Sequence, residues 1–325
     1  MFRRPGNRCC CAMKILKPPR LRRGDVIGLV SPASAPLPAE KIEKGVRYLE
    51  RLGYRVKPGE HVAAQRGYFA GTDAQRLSDL NTMLNDPQVR AIFAIRGGYG
   101  SPRLLPFVDY RAVRRQPKIF AGFSDLTALQ LALFRRAGLV TFSGPLPGVE
   151  FWRKPDPYTE EHFWRLLTST RRVGSLPNPE KQPLRTRVPG RAEGRLLGGN
   201  LSLLASNLGT KFSPDYRGEI LVLEEVGENF HRIDRMFTQL RNAGILGQIR
   251  GLVLGLFTDC KPSDPAKPHL KLPEIFDEIL SWVKAPTVEG FQYGHVARKL
   301  TLPIGLRARL DTGRGTLTVI EAAVE

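Results

Sequence analysis

Lys118-Ile119-Phe120-Ala121-Gly122-Phe123-Ser124-Asp125-Leu126-Thr127 is the stretch on which the reading of the fold turns. Residues 118–122 are of strand length and apolar after Lys118, and residues 126–136 carry a helical apolar pattern. A strand therefore passes into a helix through one tight turn at 122–125. The same alternation extends upstream. Residues 25–30 read as a strand ending at Ser31-Pro32-Ala33-Ser34, and 39–52 as a helix closed by Gly53. Residues 54–56 resume as a strand, 73–84 form a helix stopped by Asp86-Pro87, and 91–95 form a strand broken at Arg96-Gly97-Gly98-Tyr99-Gly100. Strands alternating with helices imply βαβ units and a mostly parallel sheet.

Downstream the pattern lapses and returns. Residues 151–190 are rich in Pro and charge with little periodicity, and read as a partly structured linker. A second α/β unit follows: a helix at 201–207 after a Gly198-Gly199-Asn200 turn, strands at 219–223 and 251–257, and helices at 232–243 and 273–283. Further strands are expected in 300–319 around Asp311-Thr312-Gly313. The expected division is a basic, disordered arm (1–21), an N-terminal domain (22–150), the linker, and a smaller C-terminal α/β domain (191–325).

The formal charge is +19, from 50 Lys and Arg against 31 Asp and Glu, and eight of the cations lie in residues 1–23. Such a balance suits anionic partners, but no nucleic-acid-binding motif accompanies it. A basic nucleic-acid-binding protein is the distant alternative, and it would bind duplexes in a strongly salt-dependent way. Cys9, Cys10 and Cys11 are contiguous and Cys260 stands alone, so neither a disulfide framework nor a zinc site with paired cysteines is expected. No apolar run approaches the roughly 20 residues of a membrane span. The first 20 residues lack the apolar core of a signal peptide. The expectation is a cytoplasmic protein without membrane contact, with Met13 as a candidate start.

Ser124 stands where a helix N-terminus offers backbone N–H groups to a developing oxyanion. Leu126 stands where the G-x-S-x-G elbow has its second glycine, so spacing alone leaves nucleophile and helix cap both open. Gly97 and Gly98 follow a strand, as an oxyanion loop or an ordinary turn would; a third glycine at 103 is missing, which excludes the dinucleotide fingerprint. Of five histidines, His295 follows the strand-like residues 288–293, a position where α/β enzymes place catalytic groups. His231 reads as a surface or capping residue, and His61, His162 and His269 have nothing to single them out. Glu224 and Glu225 end an apolar strand, where a carboxylate is costly unless it is paired, with Arg232 or Arg235 for example, or functional.

Taken in order, several segments resemble the LD-carboxypeptidase family of serine peptidases, which includes muramoyltetrapeptide carboxypeptidases and microcin C self-immunity proteins. They are residues 24–34, Phe69-Ala70-Gly71-Thr72-Asp73, Arg96-Gly97-Gly98-Tyr99-Gly100, Gly122-Phe123-Ser124-Asp125-Leu126-Thr127 and Gly144-Pro145. Gly198-Gly199-Asn200-Leu201-Ser202, Leu223-Glu224-Glu225-Val226-Gly227-Glu228, Arg232-Ile233-Asp234-Arg235 and Gly294-His295 complete the set. The resemblance implies a flavodoxin- or Rossmann-like N-terminal domain. It implies Ser124 as nucleophile, His295 as base, Glu224 as orienting acid, and the Asp125 and Gly98 N–H groups as the oxyanion hole, with Gly97 the alternative to Gly98. It further implies a homodimer without metal or cofactor, releasing D-Ala from murein-derived peptides; the alternative substrate is a microcin C-like peptide-nucleotide. An aromatic platform would favour the latter, and Trp152, Trp164 and Trp282 are the residues to place.

Overall fold

The computed structural model describes residues 13–179 and 182–325. In chain order the elements are β1 (Val26–Val30), α1 (Glu40–Arg51), β2 (Arg55–Pro58), α2 (Asp73–Asn85), β3 (Val89–Ala94), α3 (Tyr110–Arg115), β4 (Ile119–Gly122), α4 (Thr127–Ala137) and β5 (Thr141–Ser143). Then come α5 (Pro157–Thr168), β6 (Arg172–Ser175), β7 (Arg185–Val188), β8 (Arg191–Asn200), α6 (Leu201–Asn207), β9 (Ile220–Val226), α7 (Phe230–Asn242) and β10 (Gly251–Thr258). The chain ends with α8 (Leu272–Trp282), β11 (Thr287–Glu289), β12 (Leu302–Ile304), β13 (Arg307–Asp311) and β14 (Thr316–Ala322).

Two sheets organise these elements, as the α/β reading anticipated. The first has the order β12-β5-β4-β3-β1-β2. Strands β2, β1, β3, β4 and β5 run parallel, and β12 joins the edge antiparallel. β1 and β4 are buried along their whole length, as strands covered on both faces must be. The second sheet has the order β6-β14-β13-β8-β9-β10-β11-β7, with a parallel centre from β8 to β11. Because β12 comes from the C-terminal part of the chain yet pairs with β5, one continuous apolar core runs through both sheets.

Three segments differ from the sequence reading. Residues 13–21, assigned to a disordered arm, are packed: Leu16 exchanges backbone hydrogen bonds with Gly138 and Val140, Arg20 N–H reaches the Glu325 carbonyl, and Leu21 is buried. Cations on either side of Leu16 and Leu21 mask these anchors in the sequence. Residues 1–12, with Cys9–Cys11, lie outside the described residues. Within the presumed linker, α5 buries Phe163, Leu166 and Leu167 in the core. Its start was readable: Asp156 accepts hydrogen bonds from the N–H groups of Tyr158 and Thr159, and Pro157 sits in the first turn. Gly198-Gly199-Asn200 ends a ten-residue strand rather than forming a turn. Among the described residues no helix is long and apolar enough to cross a membrane.

Candidate active site

β4 delivers Ser124 to the carboxyl ends of the first sheet's parallel strands. Phe123 is extended, Ser124 has φ +64°, and a 3₁₀ turn of residues 124–126 leads into α4. A non-glycine residue in the left-handed region costs about 1–3 kcal/mol and persists only where its surroundings impose it. This strained strand-turn-helix corner is the geometry of a nucleophile elbow even though Leu126 departs from the elbow's sequence pattern.

Asp125 is what holds the corner. It caps no helix through its side chain. Its carboxylate instead accepts the N–H groups of Gly100 (3.1 Å) and Ser101 (2.8 Å), while Ser101 Oγ donates to the Asp125 carbonyl (2.7 Å). Burial pushes this carboxyl above its ordinary range, and the hydrogen bonds from Ser101 and Gly100 pull the other way. The glycine turn is thereby laid on the serine turn. A Cβ on Gly97 would stand 2.9 Å from the Phe123 carbonyl and 3.1 Å from Ser124 Cβ, so this contact requires glycine.

The carboxylate and imidazole come from the second half of the chain. The two neighbouring acids at the end of β9 share Asn200 Nδ2 but differ in every other partner. Glu224, fully buried, accepts from Asn200 Nδ2 (3.3 Å) and faces His295 Nδ1 at 2.7 Å. Glu225 accepts from Asn200 Nδ2, the Ser202 N–H and hydroxyl, and the Val226 N–H. Burial raises the Glu225 carboxyl above its usual range against those hydrogen bonds, and the neighbouring Glu224 adds to the rise. Neither acid pairs with Arg232 or Arg235; Arg232 pairs with Glu228 at 3.6 Å.

His295 Nε2 lies 2.9 Å from Ser124 Oγ. Its loop is fixed by Leu256 N–H donating to the Tyr293 carbonyl (2.9 Å) and by a 2.7 Å hydrogen bond between Tyr293 and Ser143 hydroxyls. The other histidines are engaged elsewhere: His61 with Asp79, His162 with the Tyr158 carbonyl, His269 with the Lys267 carbonyl, and His231 beside Ser263. Close approach of the halves again depends on glycine. A Cβ on Gly199 would meet Thr127 Oγ1 at 2.5 Å, and Asn200 N–H donates to that same hydroxyl. Sequence reading missed Asn200 and Asp125 as organisers of the site. Both lie in stretches it had singled out, but their long-range partners are set by tertiary contact.

Ser124 and His295 line a cavity of about 420 Å³, together with Gly97, Gly98, Phe123 and the cations Arg96, Arg153, Lys154 and Lys299. None of the three tryptophans lines it. Trp164 is packed among Tyr54, Phe93 and Phe151, Trp152 lies under Lys41 and Lys44, and Trp282 under Arg241. Among the described residues no cluster of three or more His, Cys, Asp or Glu is arranged to hold a metal ion.

A hydroxyl, an imidazole and a carboxylate hydrogen-bonded in series at the strand ends of an α/β protein define a class, the serine-type hydrolases. Comparison with known proteins narrows it. The profile of the LD-carboxypeptidase N-terminal domain matches residues 27–144 and that of the LD-carboxypeptidase C-terminal domain residues 193–310. The chain is 38% identical over 309 residues to a probable murein peptide carboxypeptidase of Bacillus subtilis, covering 95% of each chain. The muramoyltetrapeptide carboxypeptidase of Oxalobacter formigenes superposes with a TM-score of 0.81 at 32% identity, over 92% of this chain and 100% of that one. The microcin C7 self-immunity protein MccF of Escherichia coli is 30% identical over 329 residues, 92% of this chain and 94% of that one. Its wild-type apo structure superposes with a TM-score of 0.86, over 95% of this chain and 100% of that one. The chain belongs to the LD-carboxypeptidase family of serine peptidases.

Proposed function

We propose that this enzyme hydrolyses the amide between meso-diaminopimelate and the terminal D-Ala of murein tetrapeptides, with Ser124 as nucleophile, His295 as general base and Glu224 as orienting acid. The observation that carries the reading is the series Ser124 Oγ to His295 Nε2 at 2.9 Å and His295 Nδ1 to Glu224 at 2.7 Å. Glu224 accepts a hydrogen bond from the Nδ1–H, holding the proton on that nitrogen, and so leaves Nε2 free to take the serine proton. Ser124 then attacks the scissile carbonyl, and the oxyanion is met by the N–H groups of Asp125 and Gly98, beside the N-terminus of α4. His295 passes its proton to the departing D-Ala amine, and water activated by His295 releases the acyl group from Ser124. No step draws on a cofactor or metal.

The murein substrate is favoured over a peptide-nucleotide by two observations. Relatives from Bacillus subtilis and Oxalobacter formigenes carry murein-peptide names. The described lining of the cleft offers no tryptophan on which a nucleobase could stack; of its two aromatic rings, Phe123 is buried and the His295 imidazole is engaged between Glu224 and Ser124. The test is mass spectrometry of a muramoyl tetrapeptide incubated with wild type and with Ser124→Ala. Loss of one alanine with wild type alone is expected; no loss with wild type, or equal loss with both, overturns the reading. A cytoplasmic homodimer goes with this proposal, to be checked by cell fractionation and analytical ultracentrifugation.

A further inference from the structure

We infer that Arg96 reads the free carboxylate of the departing residue, making the cleft selective for a chain end. This rests on the carboxypeptidase reading above. An enzyme that removes one terminal residue needs a carboxylate-binding group within a single residue of the scissile carbonyl, because consecutive α-carbons are only about 3.8 Å apart, and a free cation is the strongest such group. That cation must not already be neutralised by an acid of the protein.

Four cations line the Ser124 cavity, and they are not equivalent. Lys299 is buried and pairs with Glu150 at 2.8 Å, while a second Glu150 oxygen accepts the Leu146 N–H. Arg153 and Lys154 are exposed, and Arg153 lies over the Trp152 ring. Arg96 is half-buried, and one of its guanidinium nitrogens is held by the Ala35 carbonyl at 2.9 Å. No carboxylate among the described residues lies within ion-pair distance of it. It immediately precedes Gly97, the residue laid against Ser124. A guanidinium carries five N–H donors in a fork that matches a carboxylate, so one anchoring bond orients Arg96 and leaves donors for a ligand. The two acids lining the cavity are both paired, Glu150 with Lys299 and Asp156 with Arg298 (3.2 Å), so neither competes for it.

The experiment compares a murein tetrapeptide bearing its free C-terminal carboxylate with the same peptide as a C-terminal carboxamide, reading kcat/KM for each. Wild type should prefer the acid by about 100-fold or more, since a site built to bond a charged group rejects the analogue lacking it. Arg96→Gln should collapse that ratio to within about threefold, and Arg96→Lys should restore part of it. A wild type that takes acid and amide equally overturns the inference without recourse to any variant. So does an Arg96→Gln enzyme that is slower on both but keeps the wild-type ratio. If wild type releases neither D-Ala from the acid nor D-alaninamide from the amide, the carboxypeptidase reading itself falls, a result distinct from the other two.

Discussion

Ser124 reaches the cleft on the backbone of one strand-turn-helix unit, whereas His295 reaches it on the loop of residues 290–301, outside any regular element. On the serine side the positive φ, the adjoining strand and the helix set the direction of the side chain, and Asp125 clamps the neighbouring glycine turn 25 residues back in the chain. On the base side hydrogen bonds within the loop, such as Leu300 N–H to the Gln292 carbonyl, hold its shape, but the partners that place it against the serine are distant: Glu224 is 71 residues away and Ser143, the partner of Tyr293, 150. The contrast teaches that a nucleophile can be aimed by local backbone strain, while its base is aimed by a convergence of separately folded parts. Supports on the serine side should therefore be less replaceable than supports on the base side.

The largest effects test whether the two sides act as one unit. Ser124→Ala should lower kcat by about four orders of magnitude or more, measured by release of alanine from the tetrapeptide. Glu224→Gln should cost about a thousandfold or more, because the amide no longer holds His295 in the required tautomer. The double variant should be hardly worse than Ser124→Ala alone, and additive losses would break the picture of a single machine.

A smaller loss is expected at the clamp. Asp125→Asn places an NH₂ group against one of two backbone N–H donors, at a cost of about 1–3 kcal/mol, seen as a lowered Tm with activity reduced as the glycine turn shifts. Tyr293→Phe, the base-side counterpart, leaves the buried Ser143 hydroxyl without its partner and should cost about 1–3 kcal/mol of stability with activity nearly retained. If Tyr293→Phe proves as damaging to activity as Asp125→Asn, the proposed asymmetry is wrong.

The most modest effect concerns pH. The Asp125 and Glu225 carboxyls are both raised above their ordinary values of 3.8 and 4.5, chiefly by burial. Just above those values the folded chain binds more protons at these two groups than the unfolded chain. Their contribution to stability is therefore present at lower pH and is lost as pH rises through the raised values. Glu225→Gln should flatten that part of the profile of Tm against pH relative to wild type; a profile of unchanged slope would count against it.

Much of this was legible in the sequence because it depends on near neighbours. Apolar runs such as 220–223 and 252–257 read as strands by their length, and the junction at 122–127 follows from a strand meeting a helical pattern. The helix α5 was legible too, through Asp156-Pro157, but charged residues such as Glu160, Glu161 and Arg165 on its outer turns obscured its apolar face. The strand β8 was hidden because its first half carries Arg191, Glu193 and Arg195, and it ends in Gly198-Gly199-Asn200, residues that normally mark turns.

What the sequence by itself determined was the alternation of strand and helix, the two α/β halves, and the residue types able to do acyl-transfer chemistry. These depend on side-chain polarity and backbone preference over a few residues. The resemblance pointed to Glu224, while only the tertiary structure decided which partners separate it from Glu225, that Asp125 clamps rather than caps, and that Ser124 adopts a left-handed backbone. Each of those outcomes is set by packing against segments tens to hundreds of residues away, and such energies leave no local pattern to read.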